Sequence, residues 1–200
     1  MSCARARFRL GSGRDLRAWG LSGADKITGL DIDSACLSHA KVRFCGRFYV
    51  QGAGESLPFH DESFERIVSS VALPYMDISK ALAEACRTLV PGGRLSVSLH
   101  PPSFTINELL HNALPRPIPT IFRLYVFANG LFFHVTGRTL GFPTGRTESF
   151  QTQGGMRIAL KRAGFANVSF HWGTGPAGKT FIVEATRSES GGTVTARPAA

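Results

Sequence analysis

Apolar positions along the first hundred residues alternate between two spacings. Short runs at Lys26–Ile32, Phe48–Val50, Phe64–Val71 and Arg94–Leu99 read as strands. Between them the spacing turns helical. Ser34 is the expected cap of a helix through Cys36, Leu37, Ala40 and Val42. Ile78, Ala81, Leu82, Ala85 and Leu89 give a fuller helical period that stops at Pro91-Gly92-Gly93. Strand and helix taking turns predict βα units and a mainly parallel sheet.

The rhythm breaks from residue 101 to residue 147. Pro101, Pro102, Pro115, Pro117 and Pro119 punctuate a linker, and the aromatic stretch IFRLYVFANGLFFHVTG follows. At helical spacing Ile121, Leu124, Tyr125, Ala128, Leu131, Phe132 and Val135 form one apolar face. That face suits packing on the core, a lid over a substrate, or self-association into a homodimer. A helix from Thr152 to Ala163 comes next. Strands Val168–Trp172 and Phe181–Thr186 then form a hairpin around GTGPAGK. Residues 1–187 read as one domain with an insertion at 101–147, and residues 188–200 as a disordered tail.

The start of the chain carries the candidate chemistry. Phe8 to Asp33 reads as the end of a strand, a Gly-Ser-Gly turn, a helix from Asp15 to Trp19, and a second strand ending in acid. Gly11 and Gly13 lack a Cβ, so backbone N–H groups there can approach a ligand closely. Asp31 lies where the second parallel strand of a nucleotide-binding half ends, and a carboxylate there accepts ribose hydroxyls. A buried first strand should be a near-continuous aliphatic run. Here Arg5, Arg7 and Arg9 alternate with small residues, and only Phe8 and Leu10 have the expected character. The first strand is therefore expected to be short and at an edge, or the chain to start inside a truncated domain; truncation is the expectation.

Charge and cysteine content narrow the partners. The chain of 200 residues has 23 Lys+Arg against 14 Asp+Glu, for a formal charge of +9, and every aspartate precedes residue 78. Such basicity attracts anions, yet no basic run interleaves with aromatics at regular spacing, so nucleic acid is not an expected partner. Cys3, Cys36, Cys45 and Cys86 lack CxxC spacing; Cys36 and Cys86 read as small buried apolar residues of a cytoplasmic protein. The histidines show no ligand spacing, so no metal is expected. The longest apolar run, Leu124–Phe133, is too short to span a bilayer, so no membrane partner is expected.

Several segments together resemble the class I S-adenosylmethionine-dependent methyltransferases that act on small molecules, the methyltransferase type 11 group. LGSGRDL resembles the glycine-rich cofactor loop, and GLDID the acidic end of the second strand. GESLPFHDESFERIVSS resembles the loop and strand that follow the adenine contact. ALAEACRTLVPGGRLSVSLH resembles the helix, turn and fifth strand, and ESFQTQGGMRIALKRAGFANVSF with FIVEATR the closing helix and hairpin. The resemblance covers roughly Phe8 to Arg187. It implies an α/β, Rossmann-like, mainly parallel seven-stranded sheet with helices on both faces and an antiparallel C-terminal strand, the first strand being short or incomplete. The implied cofactor is S-adenosylmethionine. Gly11, Ser12 and Gly13 would run along its methionine part and ribose, Asp31 would bind the ribose hydroxyls, and Ile32 would pack on adenine. Ala53, Gly54 and Glu55 would border the adenine, and Ser70 would line the cleft below the sulfonium.

Two positions depart from the family. Arginines occupy positions 7 and 9, where the family loop usually begins with an acid and a glycine, and Ala53 replaces an aspartate that many relatives have. A catalytically impaired chain serving as an interaction module is therefore an alternative. A nicotinamide-dependent oxidoreductase is a weaker one, because position 16 is Leu where its third glycine belongs. Methyl transfer is an in-line displacement that needs mainly positioning, with a base only if the acceptor must lose a proton. His100, at the end of the fifth strand, and Tyr75, after the fourth, are the candidate catalytic residues. His134 and Glu148 are the candidate acceptor contacts.

Overall fold

The computed structural model of the chain describes residues 4–8, 26–44, 47–100, 117–143, 145, 147–175 and 178–189. The predicted Gly11–Gly13 turn, the helix at 15–19, Cys3, Cys45, the linker at 101–116 and the tail beyond Glu189 lie outside these residues.

Seven strands build one sheet in the order β3-β2-β1-β4-β5-β7-β6. They are β1 Ala4–Phe8, β2 Ile27–Asp31, β3 Phe48–Gln51, β4 Phe64–Ser70, β5 Leu89–Leu99, β6 Phe165–Gly175 and β7 Gly178–Arg187. The pairs among β1 to β5 are parallel, and β7 runs antiparallel to both β5 and β6. The helices are α1 Ser34–Arg43, α2 Ile78–Thr88, α3 Pro117–Thr136 and α4 Gln153–Arg162.

The core follows from the strand register. Leu95 pairs with Ile67 and Ala185, Val97 with Val183, and Leu99 with Phe181, so apolar rows cross three strands. Against them pack Ile78, Ala81, Leu82 and Ala85 of α2, Met156, Ala159 and Leu160 of α4, and Phe133 of α3, all in one buried cluster. Val68 points the opposite way from Ile67 and is also buried, in a second cluster with Ile27. Both faces of β4 are therefore covered, as a parallel sheet requires. α1 covers β3 with Leu37 and Ala40 against Tyr49, whose hydroxyl bonds the Ala40 and Phe44 carbonyls. Helices α3 and α4 approach closely where Gly155 faces Phe133: a Cβ on Gly155 would lie 2.5 Å from the Phe133 carbonyl oxygen.

Several expectations need correction. β1 is not an edge strand. It lies between β2 and β4, and pairs through Arg5↔Ile27 and Phe8↔Leu30 on one side and Phe8↔Ser69 on the other. Backbone ladders hold it there, and they are indifferent to side-chain polarity. The cap of α1 is Asp33, not Ser34: its carboxylate accepts from the Ala35 N–H at 2.8 Å. Strand β5 begins at Leu89, five residues earlier than its apolar pattern suggested, and so includes the Pro-Gly-Gly turn. Gly92 has φ +74, and a Cβ on Gly93 would meet the Val90 carbonyl at 2.8 Å, so both positions require glycine. The closing hairpin is longer than predicted, with strand reaching into most of GTGPAGK. Cys36 is half-buried at the start of α1 beside Asp33, not in the core, whereas Cys86 packs on the main cluster.

Candidate cofactor site

In a parallel sheet every strand ends at the same edge, and ligands of open α/β sheets bind there. The ends of β2, β3, β4 and β5 bring Asp31, Gln51, Ser70 and His100 to that edge. β1 joins them through Phe8↔Leu30, so the chain leaves β1 level with Asp31.

Asp31 is 2% exposed. Its Oδ1 accepts from the Asp33 N–H at 3.0 Å, while its Oδ2 is buried without a hydrogen-bond partner. Leaving a buried carboxylate oxygen unpaired costs on the order of 1–3 kcal/mol, a cost that a ligand hydroxyl removes. The surrounding backbone is fixed. Gly52 N–H donates to the Asp31 carbonyl at 3.1 Å, and Gln51 Nε2 donates to the Ile32 carbonyl at 3.0 Å. Ile32, next along, is 70% exposed. An acceptor free to take ribose hydroxyls beside an open apolar side chain fits an adenosine moiety.

The following loop is stapled from below. Ala53 and Ser56 form a short antiparallel bridge, and Gly54 between them is buried. Glu55 Oε1 accepts the Asp77 N–H at 3.1 Å, which ties the loop to the residue that caps α2. Arg87 makes the larger staple. Its Nε and Nη2 grip both oxygens of Glu84 at 2.8 and 2.7 Å, a bidentate pair. Its remaining donors reach the Leu57 carbonyl, the Phe59 carbonyl and Asp61 Oδ1, and Glu84 Oε2 accepts the Leu57 N–H at 2.7 Å. The Arg87 bond holds the Glu84 carboxyl below its ordinary range against the opposing effect of burial, with the Leu57 N–H adding to it. The same bonds raise the Arg87 guanidinium above its ordinary value. Glu84 and Arg87 were missed in the sequence; their one signal there was an acid–base pair three residues apart on a single helix.

The end of β4 is strained. Val71 has φ 50, a left-handed conformation rare for a β-branched residue, and its N–H donates to the Ser98 carbonyl at 2.9 Å. Ser70 Oγ and Ser98 Oγ lie 3.3 Å apart across β4 and β5, and Ser69 Oγ is buried without a partner. Tyr75, on the 3-10 turn Leu73–Tyr75, is 45% exposed. Ser149 N–H donates to the Pro74 carbonyl at 3.1 Å, drawing the segment after α3 to the same side.

Glu148 precedes that contact and pairs with Arg123 at 2.8 Å. Buried Asn129 holds the segment from below: it donates to the carbonyls of Leu140 and Glu148 and accepts the Leu140 N–H. Tyr125 OH also bonds the Leu140 carbonyl, and burial pushes its phenol up. His134 is exposed on α3, with Nδ1 2.8 Å from Thr152 Oγ1, the cap of α4. Eight of the candidate residues thus lie at or beside the carboxyl edge: Asp31, Ile32, Ala53, Gly54, Glu55, Ser70, Tyr75 and His100. Glu148 reaches it through its neighbour, and His134, on α3, contacts the cap of α4 instead. Among the described residues no group of His, Cys, Asp and Glu could hold a metal ion.

Residues 9–97 match the methyltransferase domain family. The chain is similar to the class I S-adenosylmethionine-dependent methyltransferases. It is 28% identical over 156 residues to the ubiquinone/menaquinone biosynthesis C-methyltransferase UbiE of Desulfotalea psychrophila, covering 74% of this chain and 63% of that one. It is 31% identical to the protein of the same name from Methylobacterium nodulans, covering 72% and 57%. The chain thus spans somewhat less than two thirds of the length of these relatives. In fold it is similar to an S-adenosylmethionine-dependent methyltransferase of Methanosarcina mazei, with TM-score 0.63 and 19% identity, over 94% of this chain and 93% of that one. This methyltransferase fold accounts for the strand order and for the single antiparallel strand β7.

Proposed function

We propose that the chain binds S-adenosylmethionine along the carboxyl edge of its sheet and transfers the methyl group to a small organic acceptor by in-line displacement. The buried, unpartnered Oδ2 of Asp31 carries this reading. Asp31 would take the ribose hydroxyls and Ile32 one face of the adenine. Ala53, Gly54 and Glu55 would border the adenine's other edge, and Gly11, Ser12 and Gly13 would follow the methionine part. Ser70 and the strained Val71 would floor the cleft. The bound sulfonium supplies an activated methyl group, so the protein contributes alignment and exclusion of water.

On the acceptor side the proposal gives Tyr75 the orienting role and His100 the role of holding a proton released by the acceptor. Glu148, fixed by Arg123, and His134 would frame that side. The D. psychrophila relative is named a C-methyltransferase. A protein of Erwinia pyrifoliae, 35% identical over 78 residues (38% of this chain and 30% of that one), is named a malonyl-[acyl-carrier protein] O-methyltransferase. One cofactor cradle can serve both kinds of acceptor atom. The lack of CxxC spacing among the cysteines supports the expected cytoplasmic location, and burial pushes the Cys86 thiol up, away from the reactive form.

Calorimetry with S-adenosylhomocysteine and with NAD tests the cofactor. Binding of the first and not the second is expected, and the reverse would refute the reading. Label transfer from methyl-tritiated S-adenosylmethionine to a panel of small acids, phenols and quinols then tests turnover. Arg7, Arg9 and Ala53 favour a second reading, a catalytically impaired chain that binds the cofactor weakly or not at all and serves as an interaction module. It predicts little or no binding heat and no label transferred to any acceptor.

A further inference from the structure

Helix α3 has two apolar faces, and the fold covers one of them. Val126, Gly130 and Phe133 are buried, with Asn129 bonded among them. On the opposite side Ile121, Leu124, Ala128, Leu131, Phe132 and Val135 are exposed, Val135 at 73% and Ile121 at 60%. At helical spacing these six fall within an arc of about 100° and a rise of about 21 Å, with no polar side chain in the arc. A helix apolar all round normally has both faces covered, and a continuous exposed patch marks a contact site.

Cations lie at the C-terminal end of this stripe: Arg138 follows the end of α3, and Arg162 of α4 donates to the Thr136 carbonyl. From residue 117 to residue 173 the only carboxylate in the sequence is Glu148, which is taken by Arg123. A second copy of the chain fits this surface poorly. Six side chains fall well short of the roughly 20–30 residues a side of a stable protein interface. Each copy would also bring a charge of +9, with cations beside the contact.

We propose that α3 docks on a membrane surface containing anionic lipid, its stripe at the boundary between headgroups and acyl chains and the flanking cations on lipid phosphates. This revises the expectation of no membrane partner, which rested on the absence of a spanning run. Among the described residues no helix is long and apolar enough to cross a membrane, but docking on the surface needs no span.

Co-sedimentation of the full chain with vesicles of phosphatidylcholine, alone or mixed with phosphatidylglycerol, tests the proposal. The chain should pellet with the mixed vesicles, less so at high salt, and stay in solution with phosphatidylcholine alone. Substituting Leu124→Gln, Leu131→Gln and Val135→Gln together should weaken partitioning by about tenfold or more, with the circular dichroism spectrum unchanged. If that variant unfolds, Val135→Gln alone, at the most exposed position, should cost about threefold. Three results would overturn the proposal: no pelleting with either vesicle, pelleting unaffected by the substitutions, or a dimer in ultracentrifugation that the substitutions dissolve.

Discussion

Arg87 shows how one residue can organise a site it does not touch. It binds Glu84, two loop carbonyls and Asp61, and so fixes the segment from Leu57 to Asp61 that follows the predicted adenine contact. Arg87→Ala is expected to lower stability by about 2 kcal/mol in urea unfolding, because it leaves carbonyls and a carboxylate without donors. Arg87→Lys should recover less than half of that loss, since an ammonium cannot form the fork. Full recovery by lysine would show that charge alone matters. Glu84 adds a pH dependence. A folded-state carboxyl below its ordinary 4.5 stabilises the fold above that value, and the contribution is lost as pH falls through the lower folded value. The stability gap between the wild-type chain and Glu84→Gln should therefore shrink as pH falls below 4.5. A gap that stays constant into strong acid would contradict the pairing.

Among the elements, α2 and α4 were legible because a helix packed on one side leaves a period of apolar positions. The ends of elements were less so. Asp33, not Ser34, caps α1, because either residue type can cap and the choice depends on backbone angles. The central place of β1 was hidden, since two hydrogen-bonded ladders hold a strand whose side chains read as polar. The Arg87 staple was hidden for a similar reason: its loop partners lie 26 to 30 residues away in sequence. Packing of α3 also depends on a residue that periodicity says little about. A Cβ on Gly130 would fall 2.2 Å from the Phe150 ring, so Gly130→Ala should cost about 1–3 kcal/mol. The double variant Gly130→Ala/Phe150→Leu should recover part of it; no recovery would place the strain elsewhere. At the start of α4, Thr152 Oγ1 accepts the Gly155 N–H at 3.2 Å. Thr152→Ala should cost about 1 kcal/mol and Thr152→Ser much less, as thermal unfolding would report.

For the whole molecule, sequence and structure agree on a mainly parallel sheet closed by an antiparallel strand, and eight of the candidate residues lie at or beside its carboxyl edge. The sequence pointed to Asp31 from its position at the end of β2. The structure adds that one of its oxygens is buried and unpaired, an acceptor that a ligand hydroxyl would satisfy. The most direct measurement is therefore calorimetric titration of S-adenosylhomocysteine into the wild-type chain and into Asp31→Ala. The account predicts clear binding to the wild-type chain and a loss of about tenfold to a hundredfold in the variant, the cost of one to two hydrogen bonds to a charged acceptor. No binding to the wild-type chain at millimolar ligand, or equal binding to both proteins, would contradict it.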